Sequence, residues 1–150
     1  MNNENQMPQL LLRQFEYESD TWKRLLGYMI DENIHLKNRL VEILKHIPDR
    51  NLLLEIEIFH TRFMKEDDMI ILLRNDVAEF DKFLESDIFE GEKISDEIKI
   101  KLTKIRNNIT NAELQFSRLN LEFNNYLSEM LNTFDREKYS QTIAHLITIF

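Results

Sequence analysis

The chain carries the pattern Glu-x-x-His twice, as Glu32-Asn33-Ile34-His35 and as Glu57-Ile58-Phe59-His60. On a helix this spacing sets a carboxylate and an imidazole one turn apart, the arrangement by which helical bundles hold metal ions when further glutamates project from facing helices. Glu66 would be such a further carboxylate. The apolar periodicity argues against the site. With Asn33 at heptad position a, Glu32 falls at g and His35 at c; with Ile56 at d, Glu57 falls at e and His60 at b. Both histidines then point away from the seams, whereas a metal in a bundle core needs its ligands near the axis. His46 and His145 complete no ligand series, and a chain without cysteine has no thiolate zinc site, disulfide or thiol nucleophile. No metal and no cofactor are expected. Glu32, His35, Glu57, His60 and Glu66 are the ligands that the metal-dependent alternative would use.

Other chemistry is sparser still. Ser19, Thr61, Ser117 and Tyr28 are hydroxyls without a loop to orient a nucleophile or an oxyanion site, and two glycines cannot build a phosphate-cradling loop. The chain reads as non-enzymatic. A sharper feature is a pair of polar residues, Asn33 and Glu66, standing in otherwise apolar seams. If the helices that carry them are antiparallel and centred on one another, Asn33 lies opposite about residue 65. The two are therefore expected to share a polar layer that specifies register, because a slip would strand a buried polar group at a cost of roughly 1–3 kcal/mol. Arg118 sits at a similar height on a third helix, at the more peripheral position c.

Three long helices must position these residues. From 8 to 47 apolar residues recur at spacings of three and four through Leu12, Phe15, Trp22, Leu26, Met29, Leu36, Leu40 and Ile43, with Ser19 and Asn33 filling two stations of the series. Leu11, Leu25, Ile30 and Leu44 broaden that face. Pro8 suits a first turn, and Pro48-Asp49 should stop the helix. A second seam from 52 to 90 runs through Ile56, Phe59, Phe63, Ile70, Leu73, Val77, Phe80 and Leu84, with Gly91 as its cap. A third starts near Ser95, follows Ile98, Leu102, Ile105, Ile109, Ala112, Phe116, Leu119, Phe123, Tyr126 and Met130, and ends near Thr133. A last stripe, Ile143, Leu146, Ile147 and Phe150, predicts a short C-terminal helix.

Helices of about 40 residues are rods about 60 Å long at about 1.5 Å per residue. Joined by short loops, they predict an all-α fold: an elongated antiparallel three-helix bundle with coiled-coil-like packing and a short fourth helix. Residues 8–150 form one domain after a flexible tail, 1–7. The seam aromatics are core material, whereas Phe83, Phe89 and Phe134 fit the seams poorly.

The net charge of −8 is concentrated in residues 51–100, which hold 14 acidic and 6 basic groups. This opposes docking of nucleic acid or of an anionic membrane surface there. The exception is a basic group at Lys99, Lys101, Lys104 and Arg106, which carries a third alternative, binding of an anionic partner or nucleic acid. The first residues lack the pattern of a signal peptide, and no apolar run approaches the roughly 18 residues of a membrane span. The expectation is a cytoplasmic helical interaction or scaffold protein with no integral membrane association. It self-associates or binds another helical protein through its long amphipathic faces and through a surface at Phe134, Ile143, Leu146, Ile147 and Phe150.

Overall fold

The computed structural model describes residues 6–46, 49–90 and 93–133. They form a three-helix bundle: α1 (Gln6–His46), α2 (Arg50–Glu85) and α3 (Asp96–Thr133), with a two-stranded antiparallel hairpin, β1 (Phe89–Glu90) and β2 (Lys93–Ile94), between α2 and α3. The expected C-terminal helix and the residues Phe134, Ile143, Leu146, Ile147 and Phe150 lie outside the described residues, as does Gly91.

The helix ends follow from local backbone chemistry. α1 includes Gln6 and Met7, which were expected to lie in the tail, and Pro8 stands in the first turn, where its missing N–H costs no hydrogen bond. Lys45 and His46 occupy its last turn, next to the negative end of the helix dipole. Asp49 caps α2: its side chain accepts the Asn51 N–H at 2.9 Å and its carbonyl accepts the Leu53 N–H at 3.1 Å. The helix therefore starts two residues before the apolar seam does. It also ends at Glu85, five residues short of the expected boundary at 90. There the Ser86 N–H and hydroxyl both donate to the Phe83 carbonyl, and the Asp87 carboxylate accepts the Phe89 N–H, so side chains divert the backbone from further helical bonds. The chain then pairs Phe89 with Ile94 and Glu90 with Lys93, a hairpin with no signal in the periodicity. Ser95 caps α3, its hydroxyl accepting the Ile98 N–H at 3.3 Å, and Asp96 and Glu97 stand in the first turn, where negative charge is favoured.

The packing divides into two compact units, each built from a segment of all three helices: residues 1–29 with 68–113, and residues 30–67 with 114–150. In the first unit the buried side chains are Phe15, Trp22, Leu26 and Met29 of α1, Ile70, Leu73, Val77, Phe80 and Leu84 of α2, and Ile98, Leu102, Ile105, Ile109 and Ala112 of α3. Phe80 is central, with its ring 6.5 Å from that of Phe15 and 5.7 Å from that of Trp22. In the second unit one cluster joins Leu36, Leu40 and Ile43 to Ile56 and Phe63 and to Leu119, Phe123, Leu127 and Met130. Phe123 meets Phe63 edge-on at 5.3 Å and Phe59 at 5.3 Å, and Phe59 also meets Tyr126. As α2 advances from Phe59 to Phe63, its partners on α3 retreat from Tyr126 to Phe123, so these helices are antiparallel. The half-buried Tyr126 shares its turn with Leu127, which is the buried residue there.

Phe63→Ala removes a ring that is 0% exposed and should cost about 3–5 kcal/mol of unfolding free energy. Ser95→Ala should cost about 0.5–2 kcal/mol through the lost cap. Urea unfolding of the two variants measures both.

Candidate functional site

Four α1 residues interrupt its buried face or flank it, and each meets α2. In the second unit Asn33 is 0% exposed, and its side-chain amide donates to the Asp67 carboxylate at 3.1 Å. The other Asp67 oxygen is held by the Lys37 ammonium, with both side chains largely buried. In the first unit the buried Ser19 hydroxyl donates to Asp81, whose other oxygen is held by Lys23. The two arrangements are the same triad. A buried polar residue on α1 and a lysine one turn further on clasp a single aspartate of α2. The members lie two heptads apart on each helix, Ser19 and Lys23 against Asn33 and Lys37, Asp81 against Asp67.

Asn33 and Glu66 were expected to share a layer, with Asn33 opposite about residue 65. The Asn33 amide bonds the residue next to Glu66, Asp67, which Lys37 also holds. Glu66 is itself buried, 7% exposed, and lines a cleft of about 340 Å³ with Arg62 and Lys65 of its own helix and Gln115, Arg118 and Glu122 of α3. Arg118 thus stands near Glu66, on the exposed side of the cleft. One oxygen of Glu66 and the carbonyl oxygen of Asn33 are buried without a hydrogen-bond donor. Burial, followed by the adjacent Asp67 charge, raises the Glu66 pKa above its ordinary value. The lysines and aspartates of the triads were missed by the sequence reading. Their signal was the repeated spacing of a polar residue and a lysine on α1, matched by aspartates two heptads apart on α2.

The remaining candidates are dispersed. Glu32 and His60 are half-buried, and His35 and Glu57 are exposed. Among the described residues no group of three or more His, Asp or Glu side chains is placed to hold a metal ion. The basic group at the start of α3 is largely engaged by acidic residues: Arg106 clasps Glu18 of α1 through two bonds of 2.6 and 2.8 Å, Lys101 pairs with Glu79 at 3.6 Å, and Lys99 pairs with Asp96 at 4.0 Å. The hydrogen bond to Glu18 raises the Arg106 pKa further, so the guanidinium is fixed in its charged form. Lys101 also lies over the half-buried Phe83 ring, 4.4 Å from its centroid, which accounts for an aromatic residue that fits no seam. Burial, and then the Glu55 carboxylate, raises the Tyr126 hydroxyl pKa, which leaves it protonated and unsuited to act as a base. Among the described residues no helix is long and apolar enough to cross a membrane.

A double-mutant cycle on Asn33 and Asp67, read by urea unfolding, should return a coupling of about 0.5–3 kcal/mol because Asn33 is fully buried and Asp67 is half-buried and also held by Lys37. The more exposed Glu18–Arg106 pair should return less than about 1 kcal/mol.

No family model, curated protein or solved structure matches the chain.

Proposed function

We propose that the chain is a non-enzymatic helical interaction module that associates with a second copy of itself, or with another helical surface, through amphipathic faces packed in a coiled-coil-like manner. In this reading the buried polar residues, Asn33 and Glu66 among them, specify the register of the helices, and the outer faces supply the contact.

The observation that carries the reading is the composition of the solvent side of α2. Six of its large apolar side chains are exposed: Leu54, Ile58 and Met64 in the second unit and Met69, Ile71 and Leu72 in the first. Single exposed leucines are ordinary, but α2 carries apolar residues on both its inner and outer sides, and Ile58 and Leu72 are 62% and 65% exposed. Leu54 and Ile58, one turn apart, line a shallow groove of about 580 Å³ edged by Thr61, Arg62 and Lys65. A facing helix that places side chains in such a groove gains roughly 25 cal/mol per Å² of apolar surface removed from water, while the charged edge orients it. The stripe Ile143, Leu146, Ile147 and Phe150, outside the described residues, belongs to the same reading as a further apolar face. A cytoplasmic location is part of the proposal.

Sedimentation equilibrium on the full chain tests it. The expected result is a dimer or higher oligomer at micromolar concentration that shifts toward monomer in Ile58→Glu and Leu72→Glu, with helical circular dichroism unchanged. A wild-type monomer that matches both variants overturns self-association.

A further inference from the structure

The two triads differ in one respect that register alone does not require. In the first unit the residue preceding the clasped aspartate is Phe80, 1% exposed and packed against Phe15 and Trp22. Two heptads earlier, at the corresponding place in the second unit, stands Glu66, 7% exposed. The Ser19–Asp81–Lys23 clasp needs no second acid. Glu66 is an added ionisable group at a position where its counterpart is apolar core.

The donors and acceptors of the second layer do not balance. The Asn33 amide N–H and the Lys37 ammonium both go to Asp67. The Asn33 carbonyl oxygen and one Glu66 oxygen remain buried with no donor. A buried acceptor left in this state is costly, and a carboxylate beside a second carboxylate is more so. One proton relieves the Glu66 fault, because a neutral Glu66 carries no charge toward Asp67, the partner of Asn33, and gains an O–H donor in a layer short of donors.

We propose that Glu66 makes the polar layer of the second unit proton-sensitive: the layer is tightened when the Glu66 carboxyl is neutral and loosened when it ionises, while the Ser19–Asp81–Lys23 layer of the first unit has no such response. Every charged group around Glu66 bears on this. From α1 the layer receives Asn33 and Lys37, and Lys37 is spent on Asp67. On α2, Arg62 is bound to Glu122, Asp67 raises the proton affinity, and Lys65 lies exposed. From α3, Gln115 and Arg118 stand at the exposed side of the cleft, where solvent screens the guanidinium. Burial and Asp67 therefore prevail over the surrounding cations, and the cleft gives the proton a route from solvent.

The sign follows from linkage. A carboxyl whose proton is held more tightly in the folded chain stabilises it at low pH, and that contribution is lost as pH rises from the ordinary value of 4.5 through the folded one. Two measurements on the full chain test the proposal. In a carbon-detected NMR titration of the wild type, the Glu66 carboxyl should titrate above 4.5, and the Asn33 side-chain amide should shift with the same midpoint while the Ser19 and Phe80 signals stay still. A Glu66 midpoint at or below 4.5, or an Asn33 amide that ignores it, overturns the proposal. In urea unfolding between pH 4.5 and neutrality, the wild-type unfolding constant should rise with pH relative to Glu66→Gln, which keeps the shape without the charge. Superimposable profiles for the two proteins overturn it as well. Neither outcome depends on whether the chain self-associates, so this inference and the proposed function fail separately.

Discussion

Each unit of this bundle buries a polar side chain of α1 that hydrogen-bonds an aspartate of α2. Apolar seams alone are permissive, since leucine against isoleucine packs acceptably at more than one register. Ser19 and Asn33 each meet an aspartate that a lysine one turn along α1 also reaches, and in the proposed reading this removes that freedom. A buried hydroxyl or amide out of register loses its partner and incurs the full cost of desolvation. In the proposed reading the clasp counts less as attraction than as a penalty on other registers, the role best attested for polar residues in helical seams.

The same accounting separates structural charge from candidate chemistry. Lys23, Lys37, Lys101, Arg62 and Arg106 each have a carboxylate partner on another helix. Two of the four residues of the basic group at the start of α3, Lys101 and Arg106, are thereby drawn into cross-helix pairing, which fits a chain whose acidic excess falls on α2 and the segment following it. The geometry offers surfaces and a buried acid, and among the described residues it offers no convergent metal-ligand cluster. That balance is why the functional reading rests on faces, above all the outer side of α2.

Legibility varied with the range of the interaction. The helices, Pro8 in the first turn of α1, the cap at Ser95 and nearly all of the buried seam were readable because end chemistry and spacing of three and four are set along one chain. The end of α2 was misplaced by five residues, because Ser86 and Asp87 satisfy the backbone locally while the apolar pattern runs on toward Phe89. The hairpin that follows has two residues per strand, too few for an alternating pattern to register. Asn33 and Glu66 were visible as polar interruptions, but periodicity says only that a residue faces inward, not which atom it meets.

The sequence by itself determined the elements: three helices, their inward sides, and the polar residues that those sides would have to bury. This information is local, carried by 3.6-residue periodicity and by end-capping chemistry. Only the tertiary structure decided the pairings. Asp67 rather than Glu66 receives Asn33 because reach across a helix pair depends on side-chain length and on which neighbour Lys37 also approaches. Glu66 lines a cleft with Gln115 and Arg118, residues that only the packing of the third helix against the second brings beside it. Those outcomes depend on distances between segments far apart in the chain, which spacing along one segment cannot encode.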